Sequence, residues 1–135
     1  MEKLNPPSLL DPVGGNHVHI VIPPANSRLA FLAGQVAFAK SGEIVGKGDY
    51  YKQAVQCFAN IRDALIALDA GPEQVAKMTI FVVDYRPEYL DFVADAGREI
   101  FGDRWPVTAT TLIGVQALGI PDFLIEIEAI AALPA

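Results

Sequence analysis

Two carboxylates near the C-terminus are the first candidates for chemistry in this sequence. Glu126 and Glu128 stand two apart in the run 125–128, and alternate residues of a β-strand project from the same face of its sheet. A carboxyl group on the wall of a cleft can order a water molecule or transfer a proton, and burial would raise its pKa toward the useful range. The alternative without function is a pair of solvated carboxylates on an exposed strand.

Histidine and cysteine offer fewer possibilities. His17 and His19 also stand two apart on a predicted strand, a spacing that two metal ligands could use, but the chain has only these two histidines and one cysteine, Cys57. We therefore predict no metal site and no cofactor, and interpret the histidines as polar lining of a cleft or as a solvated edge. Cys57 lies beside an apolar helical stripe with no nearby cation, which favours a core position over a nucleophile.

Composition predicts one domain with a buried subunit interface. A chain of 135 residues matches the usual size of a single domain, so residues 1–135 are treated as one unit. Its hydrophobic fraction of 52% and mean hydropathy of +0.31 are high for a small monomer whose surface must stay hydrated. The surplus of apolar residues suggests that part of the surface is covered by another subunit.

Charge and hydropathy exclude several classes of function. The net charge is −6 and no cluster of Lys and Arg exceeds two residues, so no nucleic-acid partner is expected. No apolar run approaches the roughly 20 residues that span a bilayer, and the N-terminus lacks the pattern of a signal peptide. The expectation is a cytoplasmic protein without a membrane partner.

Hydropathy patterns predict the element order ββαβαββ after an irregular lead-in over residues 1–15. Two short strands, over 17–22 and 29–38, are expected to pair antiparallel across the Pro-rich turn at 23–27. Asp49 can cap a helix that ends at Gly71-Pro72, and Pro87 opens a second helix that ends before Gly102. The remaining strands are expected over 75–83, near 110–115 and near 124–131.

The predicted sheet has apolar residues on both faces. Each helix connects two strands and so covers the same face of the sheet. A sheet with one hydrated face would alternate cleanly between apolar and polar residues, but the strands over 29–38 and 110–115 do not. Copies of the same chain are the simplest cover for the second face.

Five segments occur in an order that is typical of one family. They are Phe31-Leu32-Ala33-Gly34-Gln35-Val36, the helix from Gln53 through Asn60 to Leu65, Ala70-Gly71, the strand over 75–84, and the strand over 125–131. In this set the sequence resembles the Rid (YjgF) family of reactive-intermediate deaminases, also labelled endoribonuclease L-PSP.

The resemblance implies a chorismate-mutase-like α+β fold, with two helices on one face of a mixed sheet. It also implies a homotrimer whose sheets form a central β-barrel, with a small-molecule cleft at each subunit interface. Active members hydrolyse enamines and imines such as 2-aminoacrylate to a keto acid and ammonia.

Of the family's two principal site residues, this sequence has the acidic one and lacks the arginine. Glu126 matches the acidic residue that is taken to position water. The family's Pro-Ala-Arg-Ser run is Thr108-Ala109-Thr110-Thr111 here, so Thr110 stands where the substrate-binding arginine is expected. A threonine hydroxyl carries no charge and cannot make the two-point contact with a carboxylate. Arg104 could replace the arginine, or it could be a surface residue.

Other pocket positions also depart from the family pattern. The serine before Gly-Gln is Ala33, the tyrosine near the first strand is replaced by Asn16 or His17, and the asparagine of the second helix by Ala94 or Asp95. The candidate substrate-binding residues are Thr110, Ala33, His17, Arg104 and Ile113.

Two functions remain open on these grounds. The first is hydrolysis of an imine, an enamine or a related C–N compound with Glu126, on a substrate other than the usual 2-imino acid because Thr110 replaces the arginine. The second is a non-catalytic trimer that binds a small ligand. The acidic net charge gives little support to the ribonuclease label.

Overall fold

The computed structural model describes all 135 residues and contains six strands, two α-helices and three short 3-10 helices. The strands are β1 (Glu2–Leu4), β2 (Ile20–Ile22), β3 (Arg28–Gln35), β4 (Val75–Val83), β5 (Ala109–Val115) and β6 (Ile125–Leu133). The helices are α1 (Tyr50–Ala67) and α2 (Tyr89–Phe101). Both predicted helices and the last three predicted strands are confirmed, and their ends differ from the predictions by a few residues. Neither helix is long and apolar enough to cross a membrane.

Four strands form one mixed sheet in the order β3-β6-β4-β5. β6 is antiparallel to both of its neighbours, and β4 is parallel to β5. Both helices contribute to a single apolar core on one face of this sheet, so the predicted α+β fold with two helices on one face is confirmed. The largest fully buried side chains of this core include Phe58, Ile61 and Leu65 of α1.

The N-terminal region differs from the prediction. β2 does not pair with β3; it pairs antiparallel with β1, in a segment that was expected to be irregular. Hydropathy periodicity cannot identify a strand of three residues such as Glu2–Leu4. The sequence therefore predicts only β3 as a partner for β2. β3 instead takes β6 as its partner, because the eight residues of β3 and the nine of β6 form a longer ladder than the three-residue β2 could offer.

Polar side chains fix the start of α1 and the loop that leads into β6. The Asp49 carboxylate accepts a hydrogen bond from the Lys52 amide at 3.0 Å, which confirms the predicted N-cap. Gln53 is fully buried, and its amide binds Gly46, Asp122 and Leu124 through main-chain atoms. It therefore joins α1 to the loop that leads directly into β6.

The second face of the sheet is unusually apolar for an exposed surface. Phe31 and Leu29 of β3 are 74% and 52% exposed, and Ile113 of β5 is also exposed. We refer to this face, which lies opposite the helices, as the open face. Apolar side chains that are exposed together as a contiguous patch mark an interaction surface.

Candidate functional site

Glu126 lies on the open face, in the middle of the sheet. Its strand β6 is flanked by β3 and β4, and Glu126 is paired with Phe81 of β4. Side chains alternate along β6, and the neighbouring Ile125 and Ile127 are fully buried on the helix side. The Glu126 side chain, which is partly buried, therefore projects from the open face.

Gly34 provides the space that the Glu126 carboxylate occupies. The ladder between β3 and β6 is irregular between Leu32 and Gln35, and this irregularity places Gly34 beside Glu126. A Cβ atom at Gly34 would lie 2.0 Å from Oε1 of Glu126 and 2.8 Å from its Cδ. Because any side chain at residue 34 would collide with the carboxylate, the Gly-Gln pair of the sequence has a direct role at this site.

Two amides hold the chain around this carboxylate. Gln53 accepts from the main-chain N–H of Leu124 at 2.9 Å, which fixes the approach to β6. Asn60 donates to the carbonyl oxygens of Val36 and Phe38 at 3.0 and 3.2 Å, which fixes the chain that leaves β3 after Gly34. Helix α1 therefore holds both strands that meet at Glu126, and rigid supports of this kind keep a reacting group in place.

Glu128 shares the face of Glu126 but has different surroundings. It is exposed and paired with Thr79 of β4. Glu128 and Thr79 line a groove of about 430 Å³ that also includes Ala33 and Lys77 but not Glu126. The Lys77 ammonium donates to the Thr111 hydroxyl at 2.7 Å. The two carboxylates are thus distinct, because Glu126 lies against Gly34 and Glu128 lies in a groove lined mainly by apolar residues.

Of the candidate binding residues, Ala33 and Ile113 lie on the open face with Glu126. Ala33 lines the groove, and Ile113 of β5 is paired with Phe81, which is also the partner of Glu126. These three residues are therefore brought to one surface of the chain.

Thr110 faces the other way. It is paired with Met78, a fully buried core residue on the helix side, so it projects from the face opposite to Glu126. Its hydroxyl donates to the carbonyl oxygen of Thr108 at 3.2 Å. A single chain therefore does not bring Thr110 and Glu126 into one site.

The structure places His17 and Arg104 at two separate points. His17 forms a bridge with Thr108 just before β5, and its ring centroid lies 6.1 Å from that of His19. Arg104 makes a two-point contact with Glu73, at 2.6 Å from Nε and 2.8 Å from a terminal nitrogen. This contact lowers the pKa of Glu73, and Arg104 would have to leave it to hold a substrate carboxylate.

Sequence reasoning missed Arg98. This residue lies on α2 and binds the side chain of Asn16, one of the two positions aligned with the family's tyrosine. The signal was present in the sequence, because Arg98 follows Ala94 by four residues and Asp95 by three, and so lies on the same side of the helix as either position aligned with the family's asparagine.

Cys57 lies directly behind Glu126 on the helix side of the sheet. Its thiol donates to the carbonyl oxygen of Ile125 at 3.5 Å. Burial, assisted by the negative charge of Glu126, raises the pKa of Cys57 from 9.0 to about 12. The thiol is therefore protonated at neutral pH and is a component of the core.

We expect Cys57 to resist alkylation in the folded protein. At about pH 8 the thiol is protonated and inaccessible, so iodoacetamide should react only as fast as the chain unfolds. Because the folded pKa is raised, the contribution of this group to stability is complete below about pH 9 and declines as pH rises toward 12. Mass spectrometry of labelled protein checks the resistance of Cys57 to alkylation, with guanidinium-unfolded chain as the control. Rapid complete labelling of the native protein would contradict it.

Comparison with known proteins agrees with this architecture. Residues 12–133 match the family model described as Endoribonuclease L-PSP. The chain is 37% identical to a RutC family protein of Pyrococcus horikoshii over 105 residues, which cover 75% of this chain and 76% of that protein. It is 34% identical to a RutC family protein of Synechocystis over 107 residues, which cover 77% and 78%.

Solved structures show the same fold. The crystal structure of YyfB from Yersinia pestis, a Rid-family protein of unknown function, superposes with a TM-score of 0.87 at 35% identity and covers 98% of both chains. The family model, the relatives and the shared fold lead to one conclusion: this chain belongs to the Rid/YjgF family of proteins, whose family model bears the name endoribonuclease L-PSP.

Proposed function

We propose that this protein is a Rid-type hydrolase that acts on imines or enamines, and that Glu126 positions the attacking water. The observation that carries the proposal is the Glu126 carboxylate, which is partly buried over Gly34 and directed to the open face. A water molecule bound to such a carboxylate is held in one orientation beside an apolar surface, where its nucleophilicity can be used.

The reaction that this arrangement can support has three steps. An enamine first takes a proton at carbon and becomes an iminium ion, which is also the protonated form of an imine. Water adds to the iminium carbon while the Glu126 carboxylate takes one of its protons, which gives a carbinolamine. The carboxyl group returns that proton to nitrogen, the C–N bond breaks, and ammonia leaves as the hydroxyl group gives its proton to the carboxylate and the carbonyl group forms. Neither a metal ion nor an organic cofactor is required by these steps.

We further propose that three copies assemble through their open faces. Phe31 and Leu29 are too exposed for a stable hydrated surface, and burying each of them is worth about 1.5–3 kcal/mol. β3 and β5 are the two edges of the sheet, so a ring in which the β5 side of one copy meets the β3 side of the next is geometrically possible. In such a ring β5, the strand that carries Thr110, would lie beside the β3 edge of the neighbouring copy, next to the β6 strand that carries Glu126.

A non-catalytic trimer that binds a small ligand is the second candidate. One observation favours it: the Thr110 hydroxyl is already bonded to Thr108 and has no charge, so the residue aligned with the family's arginine cannot make the charged two-point contact with a carboxylate. The hydrolase is preferred because Glu126, Gly34 and their supporting amides are all in place.

Ammonia release from imines generated in situ tests the proposal. We expect the wild-type protein to release ammonia faster than buffer, and Glu126→Gln to lose most of that rate because its amide cannot accept the proton of water. Glu128→Gln is the matched control, since Glu128 lies on the same strand and face, and it should retain the rate. Light scattering should show three chains of 14.5 kDa in each particle. Equal rates for wild type and Glu126→Gln would reject the hydrolase in favour of the binding protein.

A further inference from the structure

Two side chains of opposite charge lie on the open face without a charged partner. They are Lys77 of β4 and Glu128 of β6, and both line the groove of about 430 Å³. Neither belongs to the ion pairs of the chain, which join Lys47 to Asp122, Arg62 to Asp63 and Arg104 to Glu73. A face that is rich in exposed apolar side chains therefore also carries an unpaired ammonium group and an unpaired carboxylate.

The two charges lie on opposite halves of the sheet. In the strand order β3-β6-β4-β5, Glu128 is one strand away from the β3 edge and Lys77 is one strand away from the β5 edge. Glu126, the other carboxylate of the open face, is also on β6. The half of the open face toward β5 is therefore cationic, and the half toward β3 is anionic.

Lys77 carries its ammonium group to the row of the sheet that contains Glu128. Thr79 is paired with Glu128 on one side and with Thr111 on the other, so these three residues form one row across β6, β4 and β5. The Lys77 ammonium reaches that row at its β5 end, where it donates to the Thr111 hydroxyl at 2.7 Å. The positive charge thus lies toward the β5 edge, at the height of Glu128 and directed away from it within one chain.

The other end of this row has small side chains. The β3 residues nearest to Glu128 lie where the ladder is irregular, between Leu32 and Gln35, and they are Ala33 and Gly34. Ala33 lines the groove together with Glu128, whose side chain is exposed. A cation that approaches over the β3 edge at this height meets only a methyl group before the carboxylate.

We propose that Lys77 of one copy pairs with Glu128 of the next copy when three chains assemble through their open faces. The inference rests on the proposed assembly and identifies the contact that sets its direction. In that ring the β5 side of one sheet meets the β3 side of the next, so the cationic half of each copy meets the anionic half of its neighbour. Three equivalent ion pairs then close the ring.

These charges select one arrangement among those that apolar contact permits. Burial of Phe31 and Leu29 is non-directional, and it could equally be achieved in a two-fold dimer. A dimer in which two β3 edges meet would place Glu128 against its own copy, and one in which two β5 edges meet would do the same with Lys77. Like charges in a buried interface strongly disfavour such contacts. The charge pattern therefore favours a head-to-tail ring over a two-fold dimer.

Reversing the two charges tests the pair through the size of the assembly. We expect Lys77→Glu and Glu128→Lys each to weaken assembly about 100-fold or more, because a repulsion replaces an attraction at a buried contact. The double variant with both reversals should return to within about tenfold of the wild type, because each pair is restored with its polarity exchanged. Sedimentation equilibrium over a dilution series measures the dissociation constant of each protein.

Lys47→Glu is the matched control. It makes the same change of charge in the loop before α1, away from the open face, and it should assemble as the wild type does. Circular dichroism shows whether each variant is folded. If a reversed variant does not fold, Lys77→Met replaces it and should weaken assembly, because it leaves a buried carboxylate without a partner. Adding Glu128→Leu to Lys77→Met should restore assembly, because both charges are then absent.

The inference is overturned if the single variants assemble as tightly as the wild type, or if the double variants do not recover. A wild-type protein that remains monomeric would reject the assembly and the pair together, whereas a trimer that is insensitive to both reversals would reject the pair alone. The hydrolase test is separate from these outcomes, because Glu128→Gln keeps a side-chain oxygen that can accept a hydrogen bond from the ammonium group of the next copy.

Discussion

Replacing Gly34 with alanine is expected to lower imine hydrolysis about 100-fold while leaving the fold intact. The new methyl group would lie 2.0 Å from Oε1 of Glu126, so the carboxylate must move away from its position over β3. The atoms that collide are at the end of a flexible side chain, which can rotate at small cost. A shift of about 1 Å in a reacting group is sufficient for a loss of this size.

The Gly34→Ala effect should depend on Glu126. In a Glu126→Gln background the added methyl group should change the remaining rate little, because the misplaced carboxylate is already absent. Circular dichroism and light scattering serve as the controls for folding and assembly. A Gly34→Ala protein with the wild-type rate would show that the position of the Glu126 carboxylate is unimportant for the reaction.

Replacing Gly97 with alanine is expected to destabilise the chain by about 2 kcal/mol or more, although alanine favours helices. A Cβ at Gly97 would lie 1.9, 2.6 and 2.9 Å from three carbon atoms of the Trp105 ring. The ring cannot move aside freely, because it packs edge to face with Phe58 at 5.4 Å and its Nε1 binds Asn16. The gain in helix propensity, about 0.5–1 kcal/mol, is smaller than the cost of this overlap.

Urea unfolding at equal protein concentration measures the Gly97→Ala effect. The double variant with Trp105→Leu separates overlap from other causes, because leucine lacks the ring atoms that collide. Adding Gly97→Ala to Trp105→Leu should therefore cost much less than adding it to the wild type. If Gly97→Ala lowered the free energy of unfolding equally in the two backgrounds, the Trp105 ring would not be what excludes a side chain at residue 97.

Part of the site followed from local sequence, and part depended on packing. The run 125–128 predicted a strand that carries two carboxylates on one face, and the Gly-Gln pair marked Gly34. Local pattern could not show that a ladder irregularity places Gly34 beside Glu126 and leaves Glu128 in the groove of Ala33 and Lys77, because the position of such an irregularity depends on both strands.

The sequence by itself determined the main elements of this protein. Hydropathy period, the Asp49 cap and the breaks at Gly71 and Gly102 are local signals, and they predicted α1, α2 and the strands β4 to β6. The apolar character of both sheet faces was equally visible in the composition of the strands.

Only the tertiary structure decided which of these elements are neighbours. It paired β2 with β1, turned Thr110 away from Glu126, joined Arg104 to Glu73 and brought Arg98 to Asn16. The physical reason is that strand partners and side-chain contacts are set by competition between segments that are far apart in the chain. The sequence between those segments does not indicate which of the competing contacts will form.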